Sequence, residues 1–106
     1  MATTDLLQSK IEQTPVVYAY QLVGVPDHEG LLKVGYTVRD AETRVAEQCR
    51  TAGLQYRIVL CRPAMREDGS SFDDHAVHRV LRAAHIPNPE GEWFRCDVDK
   101  VERAIA

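Results

Sequence analysis

The sequence is poor in several features, and each shortage excludes a class of protein. It has only three cysteines, Cys49, Cys61 and Cys96, with no CxxC pair. This argues against a disulfide framework and a cysteine zinc site, so we expect buried cysteines in a reducing cytoplasm. No run approaches the ~18 apolar residues of a membrane-spanning helix, and the first residues lack the pattern of a secretory signal. We therefore expect a cytoplasmic protein that does not span a membrane.

An excess of basic charge is also missing. The formal net charge is −3, whereas a free-standing nucleic-acid-binding protein usually has a basic surface. A phosphate-binding site must therefore use a few local cations or borrow affinity from a larger assembly. The length of 106 residues predicts a single domain with one modest core, over residues 1–106. Because the sequence stops within a predicted helix, we expect an N-terminal module of a longer polypeptide.

Hydrophobic periodicity predicts elements in the order α-β-β-α-β-α-β-α. Helices are expected at 4–12, 40–52, 71–85 and from 98 onwards, and strands at 16–24, 31–36, 54–62 and, as a short or merely extended piece, 92–96. Ser71 is the expected N-cap of the third helix, and the residues NPEG at 88–91 match a type I turn. This order predicts an α+β domain with a central, mostly antiparallel three-stranded sheet flanked by helices.

Tyr18 and Lys33 form the first candidate pair. They lie on the first two strands, which we expect to form a hairpin, and on the same face of the sheet. A neighbouring ammonium lowers the pKa of a phenol from its reference of ~10, and such a phenol can serve as a general base toward water. The alternative, which these residues alone favour, is a tyrosine packed on a lysine stem.

Arg44 lies on the helix after the second strand, beside that helix's apolar face. A guanidinium there can direct its fork at a phosphate. It can also pair with Asp40, four residues earlier on the same helix. Taken alone, the spacing favours the surface ion pair.

Asp74 and His78 stand four residues apart on the third helix. Asp74 is about 20° around the helix from the apolar Leu81, and a carboxylate at the edge of a buried face needs a partner or a metal. Its hard oxygens suit Mg²⁺ or Mn²⁺, while His78 could contact phosphate, orient water or support a ligand. An equally weighted alternative is acidic residues at a helix N-terminus with an exposed histidine. Glu92 is interpreted as structural, although it could pair with an arginine or assist a metal.

Several short patterns together resemble the GIY-YIG nuclease superfamily, in its phage-type branch. They are Val16-Val17-Tyr18, Lys33-Val34-Gly35-Tyr36-Thr37, Arg44, Asp74-x-x-Val77-His78 and Glu92-Trp93-Phe94. The resemblance implies that Tyr18 is the general base, that Arg44 contacts the scissile phosphate and that Asp74 binds the metal. It also implies catalytic roles for Lys33 and His78, and substrate contacts from Tyr36 and Thr37.

The activity implied by the resemblance is hydrolysis of DNA phosphodiester bonds by in-line attack of water, with one Mg²⁺ or Mn²⁺ ion. DNA would be the substrate, and a helicase-type or DNA-processing polypeptide the partner in cis. Asp74 departs from the family's glutamate, and a metal displaced by ~1 Å can cost ~100-fold in rate. The alternatives are a weakened or inactive nucleic-acid-binding module and, further off, a small-molecule or protein-interaction domain.

Overall fold

The computed structural model of the chain describes residues 15–66 and 68–105. The strands are β1 (Val16–Val23), β2 (Leu31–Thr37), β3 (Gln55–Pro63) and β4 (Trp93–Arg95); the helices are α1 (Ala41–Arg50), α2 (Asp74–Ala83) and α3 (Val98–Ile105), with a 3-10 turn at Pro26–His28. The helix predicted at 4–12 lies outside the described residues. None of the helices in the described ranges is long and apolar enough to cross a membrane.

The four strands form one sheet in the order β3-β1-β2-β4, and every neighbouring pair is antiparallel. The predicted α+β class is confirmed, and the predicted hairpin of β1 and β2 is present. The prediction of three strands is wrong by one, because the short β4 joins the edge of β2. Its three residues are too few to carry a clear alternation of apolar and polar positions.

Helices cover both faces of the sheet. On one face α1 packs against the tyrosines of β1, and the buried residues there are Tyr18, Tyr20, Ala41, Val45 and Cys49. The opposite face packs against α2 and α3, and its buried residues include Val17, Val34, Val77, Leu81, Phe94 and Val101. Of the three cysteines expected to be buried, only Cys49 is; Cys61 is exposed and Cys96 is intermediate, because these two lie at the margin of the core.

Aspartate side chains cap the N-termini of α1 and α2 and so determine the residue at which each helix begins. Asp40 caps α1 by accepting a hydrogen bond from the Thr43 N–H at 3.0 Å. Asp73 caps α2 in the same way, accepting from the Ala76 N–H at 3.1 Å. The prediction that Ser71 caps this helix is therefore wrong, because the Asp73 carboxylate satisfies the first free amides. As a result, Asp74 is the first residue of α2.

The turn before β4 also differs from the prediction. Its hydrogen bond runs from the Trp93 N–H to the Glu90 carbonyl at 2.8 Å, so the turn spans residues 90–93 rather than 88–91. Gly91 has a φ of +45° there, a conformation that glycine adopts readily. The Asn88 amide donates to the carbonyls of Gly91 and Trp93, at 2.9 and 2.7 Å. Asn88 thus braces the turn from outside instead of starting it.

The shortness of β4 leaves part of β2 accessible. β4 pairs only with Leu31 to Lys33, and the next ladder bond, from the Val34 N–H to the Glu92 carbonyl at 3.0 Å, closes the pairing. Within the described chain, the segment from Gly35 to Thr37 pairs only with β1. The side chains of the candidate site gather around this open edge.

Candidate functional site

Tyr18 is fixed in place by its cross-strand neighbour Gly35. The two residues are paired in the β1–β2 register, and the Tyr18 side chain is almost completely buried, at 1% exposure. A Cβ added at Gly35 would come within 2.5 Å of both the hydroxyl oxygen and Cζ of the tyrosine. The missing side chain at Gly35 therefore makes room for the phenol at the open edge of β2.

The environment of Tyr18 raises the pKa of its phenol above the usual value. Burial is the largest cause, and the negative charges of Glu92 and Asp74 add to it. Arg44 opposes them, chiefly through its positive charge. The prediction that Lys33 lowers the pKa of Tyr18 is wrong, because the cation beside the phenol is Arg44 and its effect is smaller than that of burial.

Lys33 belongs to a different part of the site. It lies opposite Tyr20 rather than Tyr18 in the hairpin register, with its Nζ 5.8 Å from the centre of the Tyr20 ring. The same Nζ is 3.7 Å from Oε1 of Glu92, in an ion pair whose lysine is largely buried. The charge of Lys33 thus compensates that of Glu92, whereas Arg44 is the cation that acts on the Tyr18 phenol.

Arg44 does not form the ion pair with Asp40 that was the alternative to a phosphate contact. The carboxylate of Asp40 accepts from the Thr43 N–H and from the Thr43 hydroxyl, both at 3.0 Å, and the ion pairs among the described residues include no Arg44–Asp40 contact. The capping role of Asp40 turns its carboxylate toward the helix N-terminus. Arg44 is exposed, and its guanidinium is close enough to Tyr18 to lower the pKa of the phenol.

Asp74, His78 and Glu92 converge at the other side of the open edge. Each offers one potential ligand atom, and these three atoms lie within 4.8 Å of one another. The pKa of Glu92 is raised by burial and by hydrogen bonding to the Asp74 carboxyl, although Lys33 acts in the opposite direction. Two carboxyl groups this close either share a proton or bind a cation. Their hard oxygens fit Mg²⁺ or Mn²⁺.

His78 supports this cluster from the buried side. Its side chain is only 2% exposed, so the alternative of an exposed histidine is wrong. Its Nε2 lies 2.8 Å from the Val34 carbonyl oxygen and 3.9 Å from Oδ2 of Asp74. Because a carbonyl only accepts hydrogen bonds, Nε2 carries a proton and cannot bind a metal; only Nδ1 remains for that purpose.

The main chain of Val34 joins the two halves of the cluster. Its N–H donates to the Glu92 carbonyl at 3.0 Å, and its carbonyl accepts from His78. One residue of β2 thus holds both the turn that carries Glu92 and the helix that carries Asp74. The separation of the two carboxylates is therefore set by the edge of the sheet rather than by an unsupported loop.

The two predicted substrate contacts occupy different surroundings. Tyr36 is partly buried against the core and lines a cleft of about 560 Å³ beside Asp74. Thr37 is buried, and its hydroxyl oxygen accepts from the Arg39 N–H at 3.0 Å. Thr37 therefore shapes the connection between β2 and α1, whereas Tyr36 is accessible from the cleft.

Glu92 is the residue that sequence reasoning undervalued. The sequence favours a structural role for it, yet it lies within reach of Asp74, His78 and Lys33. A signal was available, because Lys33 on a strand between apolar residues needs a counterion when it is partly buried. The sequence did not indicate which of the 16 acidic residues would supply it.

Comparison with known families gives one match. The model of the T5orf172 domain, a phage-associated domain from a nuclease context, matches residues 16–106. No curated protein and no solved structure gives a significant match. The matched range includes every residue of the site described above.

Proposed function

Since the chain belongs to the T5orf172 domain family, we propose that it is a GIY-YIG-type endonuclease module. It would hydrolyse DNA phosphodiester bonds with one divalent cation, Mg²⁺ or Mn²⁺. The observation that carries the proposal is the convergence of the Asp74 and Glu92 carboxylates within electrostatic range of the buried Tyr18 phenol, on which Arg44 also acts. A buried phenol beside a guanidinium and two adjacent carboxylates suits hydrolysis of a phosphodiester better than a purely structural role.

Asp74 and Glu92 would hold the cation, with water and phosphate oxygens completing its coordination. When bound, the cation supplies Lewis-acid stabilisation of the charge that develops on the phosphate and on the leaving oxygen. Glu92 would offset the shorter reach of Asp74, because a second carboxylate draws the ion toward β2. His78 would hold the helix that carries Asp74 through its bond to Val34.

Arg44 would bind the scissile phosphate and share its developing charge, for which a planar guanidinium has the appropriate geometry. Lys33 would keep Glu92 ionised through their ion pair at 3.7 Å. Tyr18 would orient the attacking water and accept its proton. The form that accepts the proton is the phenolate, which is little populated while the pKa of Tyr18 is raised, and neutralising the nearby carboxylates removes two of the causes that raise it.

A plasmid-nicking assay tests the proposal. Purified protein with Mg²⁺ or Mn²⁺ is expected to convert supercoiled plasmid to the nicked form, and EDTA to stop it. Tyr18→Phe, Arg44→Ala and Asp74→Ala should each lower the rate by about 100-fold or more. Arg57→Ala, an exposed change on β3, is the matched control and should retain the rate. Intact plasmid across a range of metals and protein concentrations would overturn the proposal.

A second function is favoured by one observation, the aspartate at residue 74. If the shorter carboxylate holds the cation poorly, the domain binds DNA without cutting it. Such a module would bind DNA weakly and with strong salt dependence, and binding would be unaffected by EDTA. Metal-dependent nicking by the purified protein would exclude this alternative.

The cellular setting follows from the same proposal. With a net charge of −3, the domain has little nonspecific attraction for DNA. We therefore propose that it works in the cytoplasm as part of a larger DNA-processing polypeptide, such as one with a helicase, which would deliver the substrate. Fusion to a heterologous DNA-binding domain should then increase its nicking of sites next to that domain's target.

A further inference from the structure

A polar cleft lies beside the candidate metal site, and hydrolysis at the metal does not by itself require it. Its volume is about 560 Å³, and its lining includes Tyr36, Arg66, Asp73, Asp74, His75 and Arg79. Asp74 belongs both to this cleft and to the metal site. The cleft is therefore continuous with the place where a scissile phosphate would lie.

The cleft contains two arginines, of which Arg66 is held by contacts within its own loop. Arg66 donates from Nη1 to the Ser71 carbonyl at 3.0 Å, and its guanidinium lies 5.3 Å from the centre of the Phe72 ring. Arg79 is exposed on α2, one helical turn beyond His75. Among the described residues, neither arginine forms an ion pair with a carboxylate, whereas Arg39 and Arg62 on the same molecule do.

The charge of the cleft depends on the metal site. Without a cation, the two arginines are balanced by the carboxylates of Asp73 and Asp74, so a phosphate gains little on entering. A divalent cation bound by Asp74 and Glu92 leaves the cleft with net positive charge. The attraction for a polyanion would then arise only in the metal-loaded protein.

We propose that this cleft binds the nucleic-acid strand next to the scissile phosphate, and that divalent metal turns it from a neutral into an anion-binding surface. Arg66 and Arg79 contact flanking phosphates, and the half-buried Tyr36 ring is available to stack on an unpaired base. The contacts are to backbone and to a π-face, so the cleft selects single-stranded or unpaired DNA with little sequence preference. The inference rests on the proposed function, because it uses the same metal site.

Binding is measured without cleavage, so that it can be separated from the activity. Fluorescence anisotropy with a labelled single-stranded oligonucleotide uses Tyr18→Phe protein, which keeps every charge of the site. Affinity should be about tenfold higher with Mn²⁺ than with EDTA. Arg79→Ala should weaken the Mn²⁺-dependent binding by about tenfold, and reduce the slope of log K against log salt by about 0.7.

Arg66→Ala is expected to act like Arg79→Ala, but it also removes bonds within its own loop. Arg66→Lys keeps the charge and should recover most of the affinity, which a merely structural role would not predict. The control is Arg57→Ala, which removes the same charge at the far end of β3. A duplex of equal length should bind more weakly than the single strand.

The outcomes separate the two proposals. Equal affinity in Mn²⁺ and EDTA, or equal losses in Arg57→Ala and Arg79→Ala, would overturn the role of the cleft even if the protein nicks plasmid. Metal-dependent binding that requires Arg79, in a wild-type protein that never nicks, would support the cleft and refute the nuclease. Tighter binding of the duplex would contradict the preference for unpaired DNA.

Discussion

The phenol of Tyr18 passes over Gly35 on the neighbouring strand, so closely that a Cβ at residue 35 would lie 2.5 Å from the hydroxyl oxygen. This contact explains why a glycine occupies the interior of a strand, where it otherwise weakens the sheet. It also keeps the phenol at the open edge of β2, within electrostatic range of Arg44, Asp74 and Glu92. The glycine is thus part of the site although it has no side chain.

Gly35→Ala should therefore damage both stability and activity. The methyl group must displace a buried ring, and overpacking of this kind costs about 1–3 kcal/mol. Urea unfolding should show the loss, and plasmid nicking should fall further than stability because the phenol moves. Ala19→Gly, on the same strand pair but away from the phenol, is the comparison for activity. An unchanged unfolding midpoint in Gly35→Ala would show that the ring has room to move.

His78 should matter for stability more than its neighbour His75. Replacing His78 with Leu leaves the Val34 carbonyl without its buried partner, which costs about 1–3 kcal/mol. His75→Leu changes an exposed residue of the same helix and should stay within about 0.5 kcal/mol of wild type. Urea unfolding of both variants measures the difference. Equal effects would mean that the bond to Val34 contributes nothing to folding.

Arg44→Lys separates charge from geometry. Lysine keeps the positive charge but cannot present a planar fork to phosphate, so nicking should fall by about 100-fold while the fold is retained. Arg44→Ala removes the cation that lowers the pKa of Tyr18. Ultraviolet titration of tyrosine should then show one phenol ionising at higher pH than in wild type. Arg50→Ala, at the other end of α1, should leave nicking unchanged.

The raised pKa of Glu92 should make the stability of the protein depend on pH in a specific way. Its pKa is higher in the folded protein than the reference value of 4.5, so the folded state binds the proton more tightly than the unfolded state. The favourable contribution is present below the unfolded pKa and is lost as the pH rises through the folded pKa. Glu92→Gln should therefore lose this component of the pH dependence and gain stability relative to wild type at neutral pH without metal. Parallel curves of urea midpoint against pH for the two proteins would contradict the shift.

The positions of the strands and helices could be predicted well from the sequence, because they follow the local periodicity of apolar residues. Strands β1, β2 and β3 begin or end within two residues of the expected positions. The hairpin register could not be predicted, since it depends on the loop at Pro26–His28 and not on the strands themselves. That register places Lys33 opposite Tyr20, so that the cation acting on the Tyr18 phenol is Arg44.

The site was predicted unevenly for the same reason. The sequence alone placed Asp74 and His78 side by side, because residues four positions apart on a helix lie on the same face. Glu92 could not, because its position depends on the turn braced by Asn88 and on one bond to Val34. Contacts made across the sheet are set by tertiary packing, which periodicity does not encode.

The central claim is that Asp74 and Glu92 together hold one divalent cation. Isothermal titration calorimetry with Mn²⁺ tests it on wild-type protein, Asp74→Ala, Glu92→Ala and the nearby exposed control Glu90→Ala. One site per chain is expected in wild type and in Glu90→Ala, with affinity reduced by about tenfold or more in each of the other two variants. Wild-type affinity in Glu92→Ala, or the same weak affinity in all four proteins, would contradict the two-carboxylate site.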